Sequence, residues 1–262
     1  MNRATKKLCW CRLCGGQFED HEMSEEHYPA RNTGNDDIVK VNLVEMIDLM
    51  MDGNFMADIY KRYESGEKFA DIADDIFDNR LAEPLYPKGR TARTLCRTCN
   101  TFLGKYDEAY LRFFEKDGDP QKTKGFQQKT KLQIVKAIYA KFLSIPETQE
   151  EQFDFLEFVR NEQVTTYEGV WKIYFVKRDM STDFMGMQDI RTGRGTYSKG
   201  IVYELSDTKF IFNLMNFPKD DCIVMTDIFD VLKKDYKLVT GLGAGGGYHA
   251  EIFVPSLLSG ES

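Results

Sequence analysis

Two Cys-x-x-Cys pairs, Cys11/Cys14 and Cys96/Cys99, constrain this chain more than any other feature of it. Each CxxC turn presents two sulfurs to one ion, and Zn²⁺ prefers four soft ligands in a tetrahedron, so the pairs are expected to close on one structural zinc. The gap from Cys14 to Cys96 far exceeds that of a compact zinc ribbon, so the fold must hold inserted structure between its halves. Cys9 is a spare candidate ligand, but its CxC spacing with Cys11 is less favourable than CxxC. Cys222 lies in an apolar run and reads as core. With six cysteines, two CxxC pairs and no apolar leader, metal ligation is expected over a disulfide framework, and a cytoplasmic location with it. No stretch approaches the ~18 to 20 apolar residues that cross a bilayer.

The spacing of apolar residues divides the chain. Residues 9–30 read as a zinc knuckle followed by a short β-hairpin turning at Gly15-Gly16. Residues 38–80 read as a helical insertion: Val41, Val44, Ile47 and Met51, then Phe69, Ile72, Ala73, Ile76 and Phe77, recur at three- and four-residue intervals and are expected to form core. Residues 84–94 form a Pro/Gly loop before the second CxxC. Helices follow over about Asn100–Phe114 and along KLQIVKAIYAKFLSI. After Pro146 the segments VWKIYFVKR, GIVYELS, KFIFNLMNF and CIVMTDIF are short, aromatic and β-branched, which predicts strands. The fold class is therefore α+β, with a zinc-braced domain over 1–145, an insertion at about 38–80, and a strand-rich domain over 146–262.

Charge is segregated along the chain. The net charge of −7 argues against coating nucleic acid by a global field, yet screening leaves room for a local basic groove. Residues 88–105 hold five basic side chains (Lys88, Arg90, Arg93, Arg97, Lys105) and no acidic one, and residues 116–141 hold seven lysines against Asp117 and Asp119. Such residues would contact phosphates without reading sequence. Acidic residues crowd 19–26, 45–83 and 147–168; the acidic helices of 38–80 repel DNA and suit a protein partner.

Glu26-His27-Tyr28-Pro29 follows the first CxxC, and CRTCN followed by LGKYD surrounds the second. Asn100, Gly104 and Asp107 are four and three residues apart, hence on one helical face. Gly104 costs the helix about 1 kcal/mol and opens that face to a close approach. Asn100 has an alternative role as an N-cap, and Asp107 as a surface partner of Arg112 or Lys105. His27 has an alternative role as a zinc ligand. His21 sits in an acidic surface stretch, and nothing around His249, after the Gly-rich loop 241–249, defines chemistry. Adjacent strand residues face opposite ways, so Glu26 and His27 share a site only at a strand end or turn.

With these residues in place, the sequence resembles the HNH nuclease family, in its variant written EHxxP … CxxCN…G…D. The matching positions are Cys11, Cys14, Glu26, His27, Cys96, Cys99, Asn100, Gly104 and Asp107, and the likeness covers residues 9–114. It implies a ββα-metal motif braced by zinc, with metal-dependent endonuclease activity on the phosphodiester bonds of DNA. In such a site a neutral His, whose ordinary pKa is about 6.5, activates water, and a hard cation neutralises charge on the phosphate. His27 is then the base, and Glu26 with Asn100 or Asp107 holds Mg²⁺ or Mn²⁺. Arg90, Arg93, Arg97 and Lys105 are the expected DNA contacts.

The sequence departs from the family in three places. Pro29 lies one residue closer to the His than in the pattern. The usual final metal His is Asn100. The middle Asn is not found before the second CxxC, where Arg90 to Thr94 stand, which leaves Asn32, Asn35 or Asn42 to tie the loop. Family members resemble parts of mobile elements and phage-defence systems, where a nuclease is restrained until triggered; gating is one reading of the strand-rich C-terminal region, whose role the sequence leaves open. A non-catalytic zinc-braced module binding nucleic acid or protein is the alternative.

Overall fold

The computed structural model describes residues 8–178, 190–219 and 224–241. In chain order these form β1 (Leu8–Trp10), β2 (Gln17–Glu19), β3 (Met23–His27), β4 (Ile38–Val41), α1 (Leu43–Met51), α2 (Gly53–Glu64), α3 (Phe69–Ile76), β5 (Ala82–Tyr86), β6 (Thr91–Cys96), α4 (Arg97–Glu115), α5 (Pro120–Thr123), α6 (Gln128–Lys141), α7 (Leu156–Arg160), β7 (Lys172–Lys177), β8 (Thr192–Tyr197), β9 (Gly200–Ser206), β10 (Phe210–Met215) and β11 (Thr226–Asp227). Among the described residues no helix is long and apolar enough to cross a membrane.

The chain divides into two compact units, one of residues 1–35 with 90–262 and one of residues 36–89. The division falls at the insertion and not at the expected boundary near 145. The reason is the core. Helix α4 starts at the second CxxC and turns Tyr110 and Phe113 onto the C-terminal sheet, where the Phe113 ring lies tilted against Phe210 with centres 5.4 Å apart and Tyr110 meets Phe212 edge-on at 5.9 Å. The sheet order is β11-β7-β10-β9-β8, with antiparallel pairing throughout. The central strand β10 is buried along its whole length. Its Phe210, Phe212 and Leu214 join the core that holds α4 and α6, and its Ile211 and Met215 join a second cluster with Val176 and Val202. A strand covered on both sides reads as a continuous apolar run, which is why KFIFNLMNF was legible. Strand β8, TGRGTY, carries two glycines and gave no such signal.

Arg12 binds the N-terminal segment to the rest of this unit. Its Nη1 donates to the Leu143 carbonyl and to Thr148 Oγ1, both at 2.9 Å, and its Nη2 to the Thr148 carbonyl at 2.6 Å. The guanidinium also lies 5.5 Å from the centre of the Phe153 ring.

The second unit pairs β4 with β5 and carries α1 to α3. Asn42 caps α1 by accepting from Glu45 N, and Asp52 caps α2 by accepting from Asn54 N. Arg62 holds Glu67 and Asp75 together. Of the expected core residues here, Ile72 is buried, and Ile76 and Phe77 are half-buried. Val44, Ile47, Met51 and Phe69 are exposed, so these stripes are surface and not core. The expected Pro/Gly loop over 84–94 is two strand ends joined by a turn, since β5 ends at Tyr86 and β6 begins at Thr91.

Candidate metal centre and the neighbouring carboxylate pair

The knuckle sits inside a hairpin of its own. β1 pairs with β2, and between them Cys11 N donates to the Gly16 carbonyl at 2.9 Å while Gly15 takes a positive φ of 74°. The glycine makes that left-handed step at no steric cost. Strand β3 does not form the expected hairpin with its neighbour in sequence. It crosses the insertion to pair antiparallel with β6, with Met23 opposite Cys96 and His27 opposite Thr91. Cys96 ends β6 and Cys99 lies in the first turn of α4, so the strand-to-helix junction carries the second pair.

The four sulfurs of Cys11, Cys14, Cys96 and Cys99 lie within 4.8 Å of one another, and the group can hold a metal ion. A tetrahedron with metal–sulfur bonds of about 2.3 Å needs sulfurs about 3.8 Å apart, so the spacing fits. Burial raises the Cys11 thiol, but backbone N–H groups of Cys14, Cys96 and Leu13 outweigh it and leave the thiol below its ordinary value. Burial and the neighbouring sulfurs push Cys99 well up. Four ionised sulfurs in this volume repel one another, and a cation removes that conflict. Cys9 is half-buried on β1, paired across the ladder with Phe18, and stands outside the group of four. Cys222 and His249 lie outside the described residues.

Next to this centre is a second charged cluster. Glu26 is buried on β3, and the ammonium of Lys141, from the last turn of α6, sits against its Oε1. The same ammonium reaches Asp107 Oδ2 on α4 at 3.0 Å. Burial raises Glu26 above the ordinary carboxylate range, with Lys141 opposing and Asp107 adding to it. Burial would lower Lys141, but Asp107 and Glu26 outweigh it and hold the amine charged. A carboxylate pair bridged by an ammonium already has its counter-charge, so as arranged these oxygens do not fit a divalent cation.

The other expected residues occupy separate surroundings. His27 is the last residue of β3 and is half-buried, while its neighbour Glu26 is turned inward. A bulge between Ser24 and Glu26 shifts the register just before them. The Tyr28–Pro29 peptide that follows is cis. Asn100 is not the N-cap, because α4 begins at Arg97; its Nδ2 donates to Ser24 Oγ at 2.7 Å and ties helix to strand. Gly104 faces open space. Asp107 pairs with neither Arg112, which holds Glu108, nor Lys105, which holds Glu162.

The basic residues are less free than their spacing implied. Arg93 pairs with Asp20 at 2.6 Å, and half-buried Arg90 donates to Thr192 Oγ1 at 3.4 Å. Arg97 is exposed in the first turn of α4. Three of the seven lysines of 116–141 are buried, with internal partners: Lys131 on the Lys233 carbonyl, Lys136 on the Asn161 carbonyl, and Lys141 as above. Burial lowers Lys136 to about 8. These three cannot contact phosphates.

Two positions beside the expected site were only partly legible in the sequence. Lys141 lies in YAKFLSI, and a lysine inside an otherwise apolar run was the available signal that it pairs with buried acid. Asn35 was one of three candidates for tying the loop, and it alone does so. It is fully buried, its Nδ2 donates to the Pro29 carbonyl at 2.7 Å and to the Arg90 carbonyl at 2.9 Å, and its Oδ1 accepts from Arg90 N at 2.6 Å. Asn32 is exposed, and Asn42 caps α1.

No protein-family model matches the chain, and no curated protein or solved structure matches it either.

Proposed function

We propose that the chain is an HNH-type endonuclease acting on DNA phosphodiester bonds, with Cys11, Cys14, Cys96 and Cys99 holding a structural zinc ion. The observation that carries the reading is the order β3, β6, α4 around the four cysteines. His27 ends one strand, its partner strand runs into the second CxxC, and the helix of Asn100 and Asp107 starts at that point. Zinc suits four thiolates in a closed set, and there it cross-links the knuckle to the helix start without entering the reaction. Asn35 does for this strand pair what the family's middle Asn does, fixing the backbone beside the His.

In the reaction the imidazole of His27 takes a proton from water as the water oxygen bonds to phosphorus. The bond from phosphorus to the leaving oxygen breaks in line, and that oxygen takes a proton from solvent. Mg²⁺ or Mn²⁺ belongs to this reading through the resemblance. Lys141 holds Glu26 and Asp107, so as arranged these carboxylates do not hold such an ion.

That same ammonium favours a second reading, a zinc-braced module that binds nucleic acid without cutting it. Plasmid and single-stranded DNA, with RNA as a comparison, incubated with the purified full chain and Mg²⁺ or Mn²⁺ separate the two. The nuclease reading expects metal-dependent cleavage that falls by about 10² or more in His27→Ala. Equal cleavage by both proteins removes His27 from the chemistry. Binding without cleavage under either metal selects the second reading.

A further inference from the structure

The inserted unit of residues 36–89 has an unusual surface for its size. Its apolar core among the described side chains is small: Leu49, Ile72 and Leu81 are its buried apolar residues. By contrast, Val44, Ile47 and Met51 are 70, 57 and 82% exposed. They are spaced three and four residues apart on α1, so they form one stripe. On α2, Met56, Tyr60 and Tyr63 repeat the spacing and are 38, 64 and 59% exposed. Single exposed apolar residues need no explanation, but aligned stripes on two successive helices mark a binding surface.

The charge of the unit says what binds there. Residues 36–89 carry thirteen acidic and six basic side chains, a net −7 that equals the net charge of the whole chain, so the rest of the molecule is neutral. An acidic field of this density repels nucleic acid, anionic lipid headgroups and a second copy of the same unit. It attracts a cationic segment. We propose that α1 and α2 form a docking surface for a basic amphipathic helix of a partner protein, with apolar side chains seated on the Val44 and Tyr60 stripes and lysines or arginines facing acids beside them such as Asp48 and Glu64. Methionine and tyrosine suit this role, since Met repacks around varied shapes and Tyr adds area at low entropic cost. The inference is independent of the nuclease reading, because no residue of the proposed reaction lies in this unit.

The test uses the full chain and a fluorescent synthetic peptide of leucine and lysine patterned at the helical period, read by anisotropy. Its controls are a scrambled peptide of the same composition and a patterned peptide with glutamate in place of lysine. The expected result is binding at least tenfold tighter to the patterned basic peptide than to either control, weakening as salt is raised. The charge-neutral set Ile47→Asn, Met51→Asn and Tyr60→Asn should weaken it at least tenfold. The separate set Asp48→Asn and Glu64→Gln should weaken it several-fold and flatten its salt dependence. Thermal melts confirm that each set stays folded. Equal binding of scrambled and patterned peptides, or unchanged binding in either folded set, overturns the proposal. So does a wild-type dimer in sedimentation that the Asn set dissociates, because a second copy would then be the occupant.

Discussion

Two charged clusters lie along the same helix and solve one problem differently. At the start of α4, four cysteine sulfurs crowd within 4.8 Å of one another. Further along, Asp107 and the strand residue Glu26 meet on the ammonium of Lys141. Both clusters bring like charges out of water, which is costly unless a cation joins them. The sulfurs can take an ion from solution, whereas the carboxylates receive a cation from the fold itself. With an ion bound, the first arrangement would tie stability to metal supply, and the second ties it to the packing of α6.

Breaking the sulfur cluster has the largest expected effect. Metal analysis of the purified chain should find one zinc per molecule. Cys96→Ser, or removal of the ion by a chelator, should lower the melting temperature of the larger unit by on the order of 10 °C or abolish its cooperative unfolding. The knuckle, β6 and α4 all meet at this point, so its loss reaches the core through Leu95 and Leu103. A chain that carries no zinc and melts unchanged after Cys96→Ser would remove the metal centre from the account.

Breaking the second cluster comes next. Lys141→Met leaves Glu26 and Asp107 facing each other, and stranding buried charge in this way costs ~3 to 5 kcal/mol. Adding Glu26→Gln to Lys141→Met should restore part of that loss, since the more deeply buried of the two stranded charges is then gone. Denaturant unfolding of the three proteins measures both effects. The same variants sharpen the nuclease reading: if Mg²⁺ or Mn²⁺ raises the stability of Lys141→Met but not of the wild type, the carboxylates accept a divalent ion once the lysine has left. Wild-type stability in Lys141→Met would show that the bridge contributes nothing.

The difference between the clusters also explains what the sequence revealed. CxxC is a local pattern with one main use, so the meeting of the four cysteines was legible from spacing alone. The strands after Pro146 were legible because β7, β9 and β10 are buried apolar runs. Lys141 stands 115 residues from Glu26, and its role depends on how α6 packs beside β3. No local pattern encodes that. The same holds for Arg12, whose donors end on carbonyls more than 130 residues away. Domain limits were misread because the change in residue character after Pro146 marks a change of secondary structure within one core. The apolar stripes on α1 and α2 were misread as core because periodicity shows that a face is apolar, and not what covers it.

Asp207 offers a third answer to buried charge, and the smallest effect to measure. It sits in the turn between β9 and β10, fully buried, where Oδ1 accepts from the backbone N–H groups of Lys209 and Phe210 at 2.8 Å and Oδ2 accepts from the Tyr110 hydroxyl. Arg178 lies close, but its Nη1 donates to the Asp207 backbone carbonyl and not to the carboxylate. Burial raises the acid to about 6 against these hydrogen bonds, so below that pH a proton does for Asp207 what the Lys141 ammonium does for Glu26. The folded state then binds a proton that the unfolded state, titrating at 3.8, releases earlier. This contribution to stability is fully present below about pH 4 and is lost as pH rises through 6. An asparagine at this position would keep the Oδ1 acceptor for both backbone N–H groups and carry no proton to lose. Asp207→Asn should therefore gain on the wild type between pH 4 and pH 7 by on the order of 2 kcal/mol, read as the difference between their melting curves across that range. Taking the difference cancels the acid sensitivity of the cysteine centre, which both proteins share. Parallel pH profiles would mean that Asp207 is ionised in the fold throughout, held by its hydrogen bonds alone.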